Sequence, residues 1–290
     1  MTRADPPTNT APPGLRATGR LQVDGAQIHY EVWGQGPALV FAHGLGGNHM
    51  SWWQQVGDFS SRYTCVTFSH RGFAPSSVDT AHPDPRCYAD DLAALVDHLQ
   101  LGPVRLVGQS MGGWTVVEYC LRYPGQVRGL VLSATVGSID LACIAGLDPA
   151  HLAAWMQTSE QSVAQCRTHR VHPAAGLRMA LEQPALHLLY QQIDEQARVL
   201  DKEILRGRLR EMRVRTPANL AATGIPLLLI SPQEDIVIPP PALRALAHEV
   251  PGARFVELAQ LGHSPYFERA PVFNRHLGDF LHEIDLGPWP

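Results

Sequence analysis

No apolar stretch of the 290-residue chain approaches the ~20 residues needed to cross a bilayer, so a membrane-spanning protein is not expected. A basic excess is also missing. Twenty-three lysines and arginines stand against 27 aspartates and glutamates, a formal net charge of −4, which argues against a nucleic-acid binder. The nearest thing to a basic run is Arg206 to Arg215, which holds five arginines. Acidic neighbours and helical spacing make it read as a solvated helix face rather than a phosphate-binding patch. The first 20 residues hold Pro6, Pro7, Pro12 and Pro13 among small polar residues and lack the apolar middle of a secretory signal. Residues 1–19 are therefore expected to form a flexible tail. The five cysteines (Cys65, Cys87, Cys120, Cys143, Cys166) are odd in number and form no CxxC pair, as expected of reduced thiols in a cytoplasmic protein. There is no internal repeat, and no low-complexity tract beyond the first residues.

Hydrophobic residues make up 45% of the chain and charged residues 17%, enough for a sizeable buried core. The length suits one large α/β domain, or one with an inserted subdomain. Short β-rich runs alternate with helix-like runs. Leu21 to Val23 and Ile28 to Val32 read as strands joined by a turn at Asp24-Gly25. Further strands are expected at Ala38–Ala42, Tyr63–Phe68, Val104–Val107, Val127–Leu132, Leu227–Ile230 and Arg254–Leu258. Helices are expected at Tyr88–Leu101, Met111–Tyr123, Ala242–Glu249 and Val272–His282. This order predicts a mostly parallel sheet with helices on both faces, entered through one antiparallel pair.

Residues 137–216 break the alternation. Examples such as His151–Met156, Leu186–Ile193 and Val199–Met212 are helix-like, with no strong strand between them. A helical insertion of this kind is expected to cap the C-terminal edge of the sheet, where open α/β sheets bind ligands. The core would then comprise 20–136 and 217–290.

Gly108-Gln109-Ser110-Met111-Gly112 fits G-x-S-x-G, directly after one expected strand and directly before a helix. That setting places a serine on a strained turn, with its hydroxyl above the sheet at a helix N-terminus. Glycines two residues either side remove side chains that would clash. A serine hydroxyl needs a base, and the base needs an orienting group. Of 14 histidines, His263 is best placed, in the loop Leu261-Gly262-His263-Ser264-Pro265 after a strand. The acid candidate is Asp235, in a loop after the preceding strand, with Glu234 adjacent as the other option. The loop His43-Gly44-Leu45-Gly46-Gly47 and the turn at Ser110 are expected to supply backbone N–H groups, at Leu45 and Met111, for an oxyanion hole. His43 is given a structural role, since no HExxH or comparable ligand spacing surrounds it. Trp114 and Trp155 are the candidate substrate-binding residues; Trp52, Trp53, Phe73 and Met156 are further options for a pocket wall. No cofactor and no metal are expected, and the oligomeric state is open.

Together these residues resemble the α/β-hydrolase superfamily from about Leu21 to about Leu281, especially small bacterial esterases, enol-lactone hydrolases, carbon–carbon bond hydrolases and cofactor-free haloperoxidases. The resemblance implies a Ser110/Asp235/His263 triad, a helical cap and a small-molecule ester or lactone substrate. The same triad serves carbon–carbon cleavage, elimination and perhydrolysis, and a non-catalytic ligand receptor on the same scaffold is a further alternative. One stretch departs from the family pattern Asp-x-Arg-Gly-x-Gly-x-Ser: Ser69 stands for the usual acid and Ala74 for a glycine.

Overall fold

The structure, a computed structural model, describes residues 14–77 and 84–287. Eight strands form one sheet: β1 (Leu15–Val23), β2 (Ala26–Trp33), β3 (Ala38–Ala42), β4 (Thr64–Phe68), β5 (Val104–Gln109), β6 (Val127–Ser133), β7 (Leu227–Pro232) and β8 (Arg254–Leu258). Their order is β1-β2-β4-β3-β5-β6-β7-β8. Strands β1, β2 and β4 pair antiparallel, and all later neighbours pair parallel. The helices are α1 (Trp53–Phe59), α2 (Tyr88–His98), α3 (Gly112–Arg122), α4 (Pro149–Thr168), α5 (Gly176–Glu182) and α6 (Pro184–Glu195), then α7 (Lys202–Glu211), α8 (Pro217–Ala221), α9 (Pro240–Glu249), α10 (Pro265–Glu268) and α11 (Ala270–Leu286).

The central strands read as continuous apolar runs because both faces are covered. Every residue of β3, β5 and β7 is buried. Successive residues still point to opposite faces. Leu106, Leu130 and Leu132 pack with α2, α3 and α9 on one face, while Val107, Val131 and Leu228 pack with α1 and α11 on the other. Edge strand β2 shows the alternation of a half-covered strand instead.

Three local expectations change. Strand β1 starts at Leu15 and not at Leu21, because Leu15 to Gly19 pair with Trp33 to Tyr30 across the hairpin. The tail expected over 1–19 is thus overtaken by a strand from Leu15, while 1–13 lie outside the described residues. Helix α1 was not foreseen: it is seven residues long, contains Gly57, and buries Gln55 beside Phe59. Gln55 Nε2 donates to Tyr266 O at 2.9 Å and Asn274 Oδ1 at 2.8 Å, tertiary bonds that compensate for weak local propensity. Helix α7 begins at Lys202 and not at Val199, where the Asp201 carboxylate accepts the N–H groups of Glu203 and Ile204, both at 3.0 Å.

Between β6 and β7 the chain leaves the sheet for α4 to α7. Its exit and return lie side by side. Ile139 and Arg215 form a parallel bridge, with Asp140 N–H donating to Arg215 O at 2.8 Å and Arg215 N–H to Ser138 O at 3.1 Å. The Arg215 guanidinium also grips Glu118 of α3 with two bonds, 2.9 and 2.8 Å. Helix α7 docks through Leu205 and Leu209, one turn apart, against Phe73, Tyr88, Met111 and Trp114.

Candidate active site

Strand β5 delivers Ser110 to the C-terminal edge of the sheet with φ 49°, a left-handed conformation that few non-glycine residues adopt. The strain is held from both sides. Ser110 N–H donates to Ser133 O at 3.1 Å, and Gly113 N–H donates to Ser110 O at 2.9 Å. A Cβ on Gly108 would lie 2.6 Å from Val116 Cγ2, and one on Gly112 only 2.1 Å from Ala42 O. Gly108 is thus required by the packed Val116 side chain and by Gly112 O, 2.8 Å from the same Cβ, and Gly112 by the backbone of Ala42.

Two later strand ends meet there. His263 Nδ1 donates to Asp235 Oδ2 at 2.8 Å, and both side chains are almost fully buried. The other carboxylate oxygen, Oδ1, accepts the N–H groups of Val237 at 2.7 Å and Ile238 at 2.9 Å, so the acid is fixed before it meets the imidazole. The neighbouring Glu234 points away from His263 and pairs with Arg178 at 2.6 and 2.8 Å on the surface. The histidine loop is tied to the serine turn by Gln109 Nε2, which donates to His263 O at 2.9 Å. Glu268 holds the same loop, accepting Gly262 N–H at 2.9 Å. His263 Nε2 is buried and has no hydrogen-bond partner among the described residues.

Ser110, His263, Leu45 and Met111 line one cavity of about 480 Å³. Neither the Leu45 nor the Met111 backbone N–H donates to a protein acceptor among the described residues. Trp114 is in the wall, held by an Nε1–H bond to Leu209 O of 2.9 Å. Trp155 is not in it. Its Nε1 donates to Asp235 O at 2.8 Å, so it braces the acid's loop from α4. Ser159 does the same one turn on, donating to Ile236 O at 2.6 Å. The remaining aromatic options are elsewhere: Trp52 packs on Phe41 and Tyr266, Phe73 lies under α7, and Trp53 and Met156 are exposed.

The arginine run also borders the far wall. Arg206, Arg210 and Arg213 line the cavity, joined by Arg167 and Lys202, while Arg210 stays exposed and the Arg206 side chain is 41% exposed, as expected of a solvated helix face. Helical spacing directs Leu205 and Leu209 inward, and the adjoining face of α7 then looks into the cavity. Lys202 pairs with Asp194 at 2.5 Å and Arg206 pairs with Glu203. Arg167, Arg210 and Arg213 have no acidic partner among the described residues, and Arg213 Nε is buried without a hydrogen bond. Arg213 lies 5.2 Å from the Trp114 ring centroid. Burial, with Arg210 nearby, pulls its guanidinium below the ordinary value. His172, beside Asp194 and Lys202, is held at about 4 chiefly by burial.

His43 is buried in a chain of hydrogen bonds behind the glycine loop. Its Nδ1 donates to Gly44 O at 2.8 Å, and its Nε2 accepts from His70 N–H at 3.0 Å and His70 Nδ1 at 2.9 Å. His70 Nε2 in turn accepts from Thr115 Oγ1 at 2.9 Å. Burial keeps His43 at about 3 and His70 well below its ordinary value, so this chain is neutral. Among the described residues, the group with metal-ligand chemistry is His29, Glu31 and His49, none of which lines the catalytic cavity.

Comparison with known proteins agrees with this architecture. A 3-oxoadipate enol-lactonase of Acinetobacter baylyi is 30% identical over 124 residues, 42% of this chain and 46% of that protein. An uncharacterized hydrolase of Bacillus subtilis is 32% identical over 115 residues, 39% of this chain and 42% of its own length. These matches span less than half of the curated relatives. The crystal structure of the enol-lactonase from Burkholderia xenovorans LB400 superposes with a TM-score of 0.71 at 22% identity, covering 91% of this chain and all of that one, a likeness of fold. The α/β hydrolase fold family matches residues 37–270, from the start of the parallel sheet to the helix after the His263 loop, and the chain belongs to it.

Proposed function

We propose that the protein hydrolyses a carboxylic ester or lactone that carries a second, anionic group, by acyl transfer through Ser110, His263 and Asp235. The observation that carries the reading is the buried Asp235–His263 pair, whose free Nε2 shares a cavity with Ser110. The Asp235 carboxylate puts the proton on Nδ1 and leaves the Nε2 lone pair to take the Ser110 proton. Serine attack on the carbonyl carbon forms the tetrahedral intermediate. The Leu45 and Met111 N–H groups receive its oxyanion, each such donor supplying ~3 kcal/mol. His263 protonates the leaving alcohol, which in a lactone stays attached to the acyl chain. Water activated by the same histidine then releases the acid. Residues 137–216 act as the cap, closed at its neck by Ile139 and Arg215.

The substrate's anionic group is read from the cap wall. Five cations and two carboxylates, Asp194 and Glu203, line the cavity, and a half-buried guanidinium without an acidic partner is costly unless a ligand completes it. A neutral apolar acyl group would leave that cost standing. A fluorophosphonate probe should label the native protein and not Ser110→Ala; equal labelling refutes the nucleophile. Separately, kcat/KM for a p-nitrophenyl ester of a dicarboxylic acid should exceed that for a neutral ester of equal length. Arg213→Gln should remove roughly 10- to 100-fold of that preference. An unchanged ratio refutes the anionic class and leaves the hydrolase reading intact.

A further inference from the structure

Strand β2 points His29, Glu31 and Trp33 to one face, since alternate strand residues share a side. A short 3₁₀ turn, His49–Trp52, begins over that face. Its start is fixed by Asn48, whose side chain accepts Met50 N–H at 2.8 Å while its own N–H donates to Ser51 Oγ at 3.1 Å. The three polar side chains then converge. His49 Nε2 lies 3.6 Å from Glu31 Oε1 and His29 Nε2 lies 3.9 Å from the same oxygen. All three atoms fall within 4.8 Å of one another. The two imidazoles meet edge to face, ring centroids 4.5 Å apart.

These separations are too long for hydrogen bonds. They are close to the edges of a metal coordination polyhedron, about 3.4 Å when each ligand sits ~2.1 Å from the ion. The remaining polar atoms are already spoken for in a way that aims the lone pairs inward. Ser69 Oγ donates to Ala74 O at 3.3 Å and therefore accepts from His49, at 3.2 Å from its backbone N–H and 3.0 Å from Nδ1. With the proton on Nδ1, His49 Nε2 presents a lone pair to the carboxylate. Glu31 Oε2 accepts Trp33 Nε1–H at 3.0 Å, which leaves Oε1 as the facing atom. Two acceptors turned toward each other, one of them charged, call for a cation between them. An outer hydrogen bond that fixes the tautomer is also how metal-bound histidines are held.

We propose that His29, Glu31 and His49 bind a zinc-like first-row divalent cation, at a site separate from the hydrolytic cavity. Two imidazoles and one carboxylate suit such an ion better than calcium or magnesium, which take oxygen ligands, or copper(I), which takes sulfur. Three protein ligands leave a fourth position open. Glu31 and His49 also line a neighbouring cavity of about 460 Å³, which would give water or an acidic group access to that position. His49 stands two residues after Gly47, so a bound ion would pin the end of the glycine loop to strand β2. The spacing His29-x-Glu31 followed by His49 matches no short metal motif, which is why only the folded arrangement exposes it.

The test is zinc binding to the full chain, without an affinity tag and after chelator treatment, by calorimetry and elemental analysis. One equivalent of Zn²⁺ is expected. His29→Ala, His49→Ala and Glu31→Gln should each weaken uptake by about ten-fold or more, and Ser69→Ala by about 10- to 100-fold through loss of the tautomer-fixing bond. His151→Ala, an exposed histidine beside Asp148, should change nothing. Glu31→Gln keeps side-chain shape and decides the matter if a histidine variant fails to fold. Absence of saturable zinc uptake overturns the site, and so does uptake that survives Glu31→Gln with unchanged affinity.

Discussion

Two walls meet at the catalytic cavity, and they are held by different forces. On the sheet side each group of the proposed triad is fixed by short-range bonds to backbone. Asp235 accepts two N–H groups, His263 is tied by Gln109, and Ser110 is clamped between Ser133 and Gly113. On the cap side the wall is charged and only partly paired, with Arg167, Arg210 and Arg213 lacking acidic partners among the described residues. The first arrangement is complete without a ligand. Under the proposed function the second is completed by the substrate's anionic group. Reaction type and substrate choice then fall on separate parts of the chain, and substitutions on the two walls should behave differently.

The largest effect is expected on the sheet side. Asp235→Asn keeps the shape but offers Nδ1 the wrong partner, so kcat should fall about 10⁴-fold. Glu234→Gln, one residue earlier, should leave kcat within a few-fold, since it breaks only an exposed pair with Arg178. Steady-state kinetics on one ester separates the two. Similar losses in both variants would show that the loop, and not the Asp235–His263 bond, carries the activity.

An intermediate effect, opposite in sign between stability and selectivity, is expected on the cap side. Arg213→Met removes a half-buried charge without an acidic partner and keeps an apolar stem against Trp114. Its melting temperature should rise while the preference for an anionic ester falls. A lower melting temperature would mean that the guanidinium is compensated within the fold, and the contrast between the walls would weaken.

These walls were also unequally legible. The β5–Ser110–α3 turn could be found from residue order because strand, turn and helix are contiguous, and every β5 residue is buried. Asp235 and Glu234 could not be separated from order alone; carboxylates one residue apart differ in where the loop aims them. The arginine run is solvated as expected, but its place beside the cavity was not legible, because periodicity tells which face of α7 packs, through Leu205 and Leu209, and not what the adjoining face borders. Trp155 was likewise placed in the pocket on side-chain type, whereas its role depends on a carbonyl 80 residues away. The neck formed by Ile139, Arg215 and Glu118 left no local signal, since its partners come from three segments. The fold class rests on repeated short-range patterns and was fully readable; the chemistry of the cap rests on long-range pairing and was not.

The smallest effect, a pH dependence, tests the contribution of the cap-side His172 against that of the histidines behind the glycine loop. His43 and His70 lie behind the glycine loop, and His172 lies on the cap side; burial lowers all three, His43 to about 3 and His172 to about 4 from an ordinary 6.5. An unfolded chain takes up protons at these histidines below pH 6.5, and the folded chain does not. Unfolding then binds protons, so stability is fully present above pH 6.5 and is lost as pH falls from 6.5 toward the lowered values. Each whole proton contributes a slope of about 1.4 kcal/mol per pH unit. Urea unfolding across this window should show the native protein losing stability steadily. His172→Gln should lower the slope by the share of one proton, because its partners Asp194 and Lys202 still pair with each other. The His43–His70 share should persist, since no titratable acid bonds to either ring. A slope unchanged in His172→Gln would show that His172 contributes nothing to acid sensitivity, which would then rest on His43, His70 and the other histidines that burial lowers, His29, His49 and His187.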